Sequence, residues 1–198
     1  EDLGFNLDDA EATALAAAES DELFIRGGAP AKAMLVRQAK MLAKKYDVVV
    51  ANPPYMGGKG MCGELKTFAK NKYPDSKSDL FAMFIERGFD MARESIGYNT
   101  MITMESWMFL SSYEDFRVDI VGRRTIRNLG HFPYDGKRPT VMGINFGVAV
   151  VSLMNNHLSD FGGHFCCSRY YELNDDGTPK EFPTRNERLT TRRQDDFK

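Results

Sequence analysis

Two spacings of apolar residues alternate along the chain, and they predict helices that alternate with strands. Residues 31–46 (AKAMLVRQAKMLAKKY) carry apolar side chains at helical spacing behind Pro30, which a first helical turn tolerates, and so predict a helix. Residues 47–52 (DVVVAN) form a short, β-branched apolar run that turns sharply polar, as expected of a parallel strand buried on both faces. Functional side chains are therefore expected at the end of that strand.

The same alternation continues through the middle of the chain. Ser78 and Asp79 provide a cap for a helix whose apolar residues, Phe84 among them, recur at helical spacing. Residues 98–105 (YNTMITME) predict the next strand, and residues 111–121 (SSYEDFRVDIV) predict another capped helix. This βαβα order indicates an α/β fold with a parallel sheet.

Three more strands are predicted in the C-terminal half, at residues 125–132, 145–154 and 163–171. A turn-prone segment, NNHLSDFGG, separates the last two, so we expect the parallel sheet to end in antiparallel strands. Residues 56–78 are rich in Gly and Lys without clear periodicity. Long segments of this kind are usually functional, and we predict an active-site loop there.

The domain organisation follows from these patterns. We interpret residues 1–29 as an acidic, alanine-rich upstream segment and residues 30–172 as a catalytic half-domain. Residues 173–198 end in the charged stretch RLTTRRQDDFK and are predicted to be a linker or the start of a downstream target-recognition region. Because the chain opens at Glu1 without an initiator Met, we expect it to be a piece of a longer protein.

Composition narrows the class of protein. With 198 residues, 42% of them apolar, the chain can bury the core of one domain, and its formal charge of -2 means that any DNA contact uses a local patch. The acidic start does not resemble a signal peptide, and no apolar run approaches the roughly 20 residues needed to cross a bilayer. A cytoplasmic protein without a membrane partner is expected.

The cysteines and histidines predict no metal site. Three cysteines occur without a C-x-x-C pair, so neither a zinc site nor a disulfide framework is expected. His131, His157 and His164 have no partner at metal-ligand or triad spacing and are interpreted as structural.

The strongest chemical signal is the sequence Asn52, Pro53, Pro54, Tyr55 directly after the predicted strand. Four specified residues occur by chance in about one chain in a thousand of this length, although an ordinary strand-ending turn would use the same residue types. Two hydrogen-bond acceptors set against an exocyclic amine would aim its lone pair at an incoming methyl group. The Asn52 side-chain oxygen and the Pro53 carbonyl can be those acceptors, and Tyr55 can stack on the base.

Residues 46–154 contain four segments in order, DVVVANPPY, MGGKGM, KNKYPDSKSDLFAMFIERGF and MESWMFLSSYEDFR. Through these segments they resemble the PglX family of adenine methyltransferases from BREX phage-defence systems. The resemblance implies transfer of a methyl group from S-adenosylmethionine to a flipped adenine in double-stranded DNA, at a non-palindromic host site. It also implies other phage-defence proteins as partners. The fold would be the Rossmann-like methyltransferase sheet, with this chain supplying its fourth to seventh strands.

One part of the family pattern is missing from the sequence. No glycine-rich segment of the D-P-A-C-G-S-G type, which cradles the cofactor in that family, precedes residue 47. The resemblance therefore assigns Asn52 to a shared edge of the cofactor site, and we expect the rest of that site upstream of this chain.

Four further residues are candidates for binding the substrate. Ser106 and Trp107 end the second predicted strand, and Trp107 either walls the flipped base or belongs to the core. Phe132 ends another strand, where an aromatic ring either holds the base or packs internally. Lys59 lies in the predicted loop, whose lysines either track the phosphate backbone or are simply solvated. The other lysines of that loop are Lys66, Lys70, Lys72 and Lys77.

Two alternative functions stay open on the sequence. A glutamine carboxamide presents the same NH₂ chemistry as adenine, so a protein-glutamine methyltransferase would use a similar loop. A catalytically incomplete piece could instead serve as a scaffold that binds DNA or a partner protein.

Overall fold

The computed structural model describes residues 29–134, 136 and 143–197. The chain divides into two compact units, residues 1–45 and residues 46–198. In the first unit, helix α1 (Ala29–Ala43) confirms the helix predicted behind Pro30. None of the helices formed by the described residues is long and apolar enough to cross a membrane.

The second unit alternates strands and helices, as predicted. Short 3₁₀ helices lie between some of these elements, at Glu105–Met108, Ser111–Tyr113, Tyr170–Glu172 and Gln194–Phe197. The regular elements are β1 (Val48–Ala51), α2 (Gly63–Lys72), α3 (Leu80–Met91), β2 (Tyr98–Met104), α4 (Glu114–Arg123), β3 (Thr125–Phe132), β4 (Val148–Met154), β5 (Gly162–Cys167) and β6 (Leu189–Arg193).

Six strands form one mixed sheet in the described part of the chain, in the order β1-β2-β4-β3-β5-β6. β1 pairs with β2 in parallel, and β4 runs antiparallel between β2 and β3. β5 is parallel to β3, and β6 is antiparallel to β5. The predicted α/β sheet with added antiparallel strands is confirmed. Because β1, β2, β3 and β5 share one direction, their C-terminal ends meet at one side of the sheet, here called the carboxyl edge.

The core lies between this sheet and helices α3 and α4. Asp79 caps α3 by accepting a hydrogen bond from the backbone N–H of Phe81, as the sequence predicted. The inward-facing side chains of α3 and α4 pack in one core with buried residues of β2, β3 and β4, which is the arrangement that amphipathic helices require. Phe84, which the spacing grouped with the apolar residues of this helix, is 41% exposed. The buried residues at this interface include Phe81, Ile85, Phe89, Met101, Phe116, Ile120, Val151 and Leu153.

The prediction that β1 is buried on both faces is wrong. Val48 and Val50 are 54% and 70% exposed, whereas Val49 and Ala51 are partly buried. The exposure of one face follows from the place of β1 in the sheet. It is the end strand of the described sheet and pairs only with β2 among the described residues. Its apolar sequence reflects one covered face only.

The prediction of one long loop over residues 56–78 is also wrong, because this stretch contains the ten-residue helix α2. Leu65, Ala69 and Tyr73 recur four residues apart, and Ala69 and Tyr73 pack with Met61 and Met83 in a small second core. Good helix formers occupy most of GELKTFAKNK, and the surrounding glycines and lysines masked that signal.

β6 was not predicted from the sequence. Its residues are mostly polar and exposed, so they show no alternation of apolar and polar side chains. The following Gln194 is buried and ties this region to the sheet, because its side chain accepts a hydrogen bond from Ile126 N at 3.1 Å and donates one to Val121 O at 2.9 Å. The domain boundaries proposed at residues 29 and 172 stay predictions.

Asn155, directly after β4, joins the C-terminal end of α3 to the sheet. Its side-chain N–H groups donate to the carbonyls of Phe89 and Ala92 at 3.1 and 3.0 Å, and its oxygen accepts from Arg124 at 2.6 Å.

We expect Asn155→Ala to lower the free energy of unfolding by about 1–3 kcal/mol, because these buried groups would be left without their partner. Thermal unfolding beside the exposed variant Asn71→Ala checks this, and equal melting temperatures would contradict it.

Candidate active site at the carboxyl edge of the sheet

The carboxyl edge brings together segments that are far apart in sequence. Asn52–Tyr55 follows β1, the 3₁₀ helix Glu105–Met108 follows β2, and Pro133 follows β3. Phe146 and Gly147 precede β4, whose antiparallel direction makes it begin at the same edge. Ligand sites of α/β sheets form at such an edge, so these segments define the candidate site.

Tyr55 holds the side chain of Asn52 in place. The Tyr55 hydroxyl lies 2.9 Å from Asn52 Oδ1 and 3.2 Å from the carbonyl oxygen of Ile102, and its single proton can be donated to either acceptor. Asn52 is exposed while Pro53 is buried, and the two prolines restrict the backbone between Asn52 and Tyr55. The arrangement presents the Asn52 carboxamide to solvent from a rigid turn.

The Tyr55 ring is packed among other aromatic side chains. Its centroid lies 5.0 Å from that of Phe146 and 6.3 Å from that of Phe81, in edge-to-face geometry. Burial raises the pKa of the Tyr55 hydroxyl above its ordinary value, so the group stays protonated and remains a donor at neutral pH. Stacking of this ring on a base stays a prediction.

Asp79 fixes the segment that follows the motif. Its carboxylate accepts a hydrogen bond from Met56 N at 2.9 Å, in addition to capping α3. Leu80 N donates to Met56 O at 3.1 Å, and Gly58 N donates to Ser78 O at 3.2 Å. Burial raises the pKa of Asp79, although these backbone hydrogen bonds oppose the effect. The turn after Tyr55 is therefore tied to the start of a core helix.

A cavity of about 250 Å³ is lined by Phe146, and we call it the Phe146 slot. Its wall includes Phe146, which contacts the Tyr55 ring, and Ile102, whose carbonyl accepts from the Tyr55 hydroxyl. The slot is smaller than typical sites for drug-sized ligands, so it suits a compact group such as one planar base. Its other lining residues include Phe132, Pro133, Val148 and Val150.

The four predicted substrate residues occupy different surroundings. Phe132 lines the Phe146 slot, and Lys59 is exposed in the turn after the motif. Ser106 is partly buried, and its backbone carbonyl accepts hydrogen bonds from Phe109 and Leu110. Trp107 is only 4% exposed and donates to Thr103 Oγ1 at 3.1 Å. Of the two interpretations given for Trp107, the structure agrees with the one that places its side chain in the core. Trp107 does not line the Phe146 slot.

Two features of the edge were not predicted from the sequence. Phe146 was not singled out, because only the antiparallel direction of β4 brings its N-terminal end to this edge. Glu105 Oε2 lies 2.5 Å from His131 Nε2, so His131 has an acidic partner that no sequence spacing suggested. A Cβ atom at Gly147 would lie 2.2 Å from the Glu105 carboxyl carbon, so a larger residue there would displace the Glu105 carboxylate from its present position.

The chain belongs to the family of Eco57I restriction-modification methylases, which matches residues 7–137. Two adenine-specific methyltransferases are close relatives over part of the chain. BrxX of Escherichia coli O9:H4 (strain HS) is 55% identical over 96 residues, 48% of this chain and 8% of that protein. PglX of Lacticaseibacillus casei (strain Zhang) is 47% identical over 83 residues, 42% of this chain and 7% of that protein.

These relatives confirm the resemblance to PglX proteins drawn from the sequence. The chain spans less than a tenth of the length of either relative. Its similarity is therefore to one short region of each.

Solved structures agree on the fold. The DrdV–DNA complex superposes with a TM-score of 0.51 at 17% identity, covering 73% of this chain and 16% of that one. A nuclease-deletion mutant of the Type ISP restriction-modification enzyme LlaGI, in complex with a DNA substrate mimic, superposes with a TM-score of 0.50 at 16% identity, covering 83% of this chain and 18% of that one. With the strand order, these matches confirm the Rossmann-like methyltransferase fold.

Proposed function

We propose that this chain carries the catalytic edge of an adenine-specific DNA methyltransferase, which transfers a methyl group from S-adenosylmethionine to the exocyclic amine of adenine. One observation carries the proposal. The Asn52 carboxamide stands exposed at the carboxyl edge with its oxygen held by the Tyr55 hydroxyl at 2.9 Å, and the Tyr55 ring packs on Phe146, which lines a slot of the size that suits a base.

The amine of adenine must be activated, because its lone pair is delocalised into the ring. Asn52 Oδ1 and the Pro53 carbonyl each accept one N–H of the amine, which favours a tetrahedral nitrogen and directs the lone pair outward. Such fixed acceptors stabilise the transition state more than the ground state. Tyr55 keeps the Asn52 oxygen oriented before the substrate arrives, so no strong base is required.

The flipped adenine occupies the Phe146 slot. Taking a base out of the duplex costs a few kcal/mol, and stacking on aromatic side chains returns about 1–3 kcal/mol per base. Phe132 and Phe146 line the slot, and Phe146 packs on Tyr55, whose hydroxyl holds Asn52 Oδ1.

S-adenosylmethionine, when bound, supplies an electrophilic methyl group. Asn52 is the residue of this chain that faces it, because it is exposed at the carboxyl end of β1. No segment of the D-P-A-C-G-S-G type precedes β1 in the sequence, so we assign to this chain the substrate side of the site and one shared edge. No metal takes part in the proposed mechanism.

The class of the acceptor is tested by incubating the full-length protein with S-adenosylmethionine carrying a labelled methyl group, together with host DNA and host protein extract. Label in the DNA fraction supports the proposal. Label confined to protein would favour the glutamine methyltransferase, and label in neither fraction would favour the scaffold that binds without catalysis.

Exposed lysines of α2 are proposed to bind the phosphate backbone. Lys66, Lys70 and Lys72 are all exposed on this helix, which follows the catalytic motif and Lys59. Replacing the three α2 lysines by Gln is expected to make the dependence of log Kd on log salt less steep, by about 0.9 for each phosphate that is no longer neutralised. DNA-binding titrations at several salt concentrations check this, with the matched triple Arg variant retaining the original slope. A Gln variant with an unchanged slope would exclude phosphate binding by α2.

The relatives support a proposal for the cellular role. Because proteins named BrxX and PglX match the chain, we propose that the whole protein marks host DNA in a BREX phage-defence system, in the cytoplasm and beside other defence proteins. Loss of adenine methylation in the host genome on deletion of the protein, with increased phage sensitivity, is the expected phenotype.

A further inference from the structure

A second cleft opens at the carboxyl edge, at the C-terminal ends of β3 and β5, and has a volume of about 390 Å³. We call it the Tyr170 cleft. It is formed by different segments from the Phe146 slot, although Pro133 lines both. The side chains that characterise the cleft are those of Phe109, His131, Arg169, Tyr170, Tyr171 and Arg188.

Three aromatic side chains of the cleft are largely exposed. Phe109 is 62%, Tyr170 58% and Tyr171 66% exposed. The Phe109 ring centroid lies 5.6 Å from that of His131, which is itself buried and held by Glu105. Aromatic rings have few rotatable bonds and much apolar surface, so an exposed group of them is a ready stacking surface.

The charges around the cleft nearly balance. Arg169 forms an ion pair with Glu187, and its guanidinium lies 5.9 Å from the centroid of the Tyr171 ring. Glu172 accepts a hydrogen bond from the backbone N–H of Arg169. Arg188 is exposed and has no ion-pair partner in the described part of the chain. The cleft therefore offers a ligand mainly aromatic ring surface. Arg188 adds one positive charge that is not used in an ion pair.

The position of the cleft relates it to the catalytic motif. Three strand spacings separate β1 from β3 in the sheet and four separate β1 from β5. At about 4.8 Å per spacing, the cleft lies roughly 14–19 Å along the carboxyl edge from Asn52. This distance corresponds to about four to six nucleotide steps of a DNA strand at 3.4 Å each.

We propose that the Tyr170 cleft binds an unstacked base of the DNA at that distance from the target adenine. The rings of Phe109, Tyr170 and Tyr171 stack on the base, and Arg188 contacts a neighbouring phosphate. Because every base has a π-face, the cleft holds the flanking DNA without reading its sequence. The inference rests on the proposed function, since it requires DNA at the carboxyl edge.

The test uses the full-length protein and a labelled duplex carrying its methylation site, mapped beforehand from methylated adenines in host DNA. The double variant Tyr170→Ala, Tyr171→Ala is expected to bind this duplex about 10-fold or more weakly, with an unchanged salt slope. The matched double variant Tyr170→Phe, Tyr171→Phe keeps both rings and is expected to bind like the wild type. Arg188→Gln is expected to reduce the salt slope by about one.

Two further measurements separate the possible failures. Phe84→Ala, an exposed aromatic of α3 outside the cleft, controls for a general effect of losing a ring. In the wild-type protein, photocrosslinking from 5-iododeoxyuridine placed four to six nucleotides from the adenine is expected to label the peptide that contains Tyr170 and Tyr171. If the wild type methylates DNA but gives no such cross-link, and the double Ala variant binds the duplex as well as the wild type, the cleft proposal is wrong. The proposed function would then still stand. Absence of any DNA methylation by the wild type overturns the proposed function together with the cleft proposal.

Discussion

Asn52→Ala is expected to reduce the rate of methyl transfer to adenine by about 10²- to 10³-fold while the fold stays intact. The variant removes one of the two acceptors that orient the amine, and deleting one fixed group of this kind from a transition state costs about 2.7–4 kcal/mol. The fold should tolerate the change, because Asn52 is exposed and the Tyr55 hydroxyl retains the Ile102 carbonyl as an acceptor. The measurement is the single-turnover rate with saturating S-adenosylmethionine and DNA.

The matched control is Asn71→Ala, which removes the same side chain from an exposed position on α2. Its rate and its melting temperature should equal those of the wild type. If Asn52→Ala transferred methyl groups at more than a third of the wild-type rate, Asn52 would not be the acceptor that activates the amine.

Substitutions of Tyr55 are expected to separate its hydroxyl from its ring. Tyr55→Phe removes the donor to Asn52 Oδ1, and a hydrogen bond worth about 0.5–1.5 kcal/mol corresponds to a rate loss of roughly 2- to 13-fold. Tyr55→Ala also removes the ring that packs on Phe146 beside the slot, so the loss should be on the order of 10²-fold. Single-turnover rates and DNA affinities of both variants provide the comparison.

The hydroxyl effect needs its own control. Tyr73→Phe removes a phenol hydroxyl from the small core beside α2, away from the motif, and should leave the rate unchanged. Because burial raises the pKa of the Tyr55 hydroxyl, this group stays protonated through neutral pH. The rate ratio of wild type to Tyr55→Phe should therefore be constant from about pH 6 to pH 9. A defect that disappeared as the pH rose within this range would assign a titrating role to Tyr55 instead.

The sequence predicted the elements whose patterns are strong and local. β2 and α3 carry clear periodicities, and Asp79 marked the start of α3 correctly. α2 was missed because its apolar positions are few and lie among lysines and glycines. The burial of β1 was overestimated. An apolar run indicates that both faces of a strand can be covered, but it does not show that both of them are.

The candidate site was predicted less completely than the fold. Asn52 and Tyr55 stand together in sequence, so their proximity to the end of β1 could be inferred directly. Phe146 and the pair of Glu105 with His131 depend on which strands are neighbours and in which direction they run. The insertion of an antiparallel β4 between β2 and β3 is a long-range feature that no local pattern specifies.

Identification of the methylated atom is the most direct test of an adenine-specific DNA methyltransferase that acts through Asn52. The full-length protein is incubated with host DNA and S-adenosylmethionine carrying a deuterated methyl group, and the DNA is digested to nucleosides for mass spectrometry. We expect deuterated N6-methyl-2′-deoxyadenosine from the wild type and about 100-fold less, or lower still, from Asn52→Ala. Label on cytosine, or equal amounts of labelled adenine from both proteins, would contradict this function.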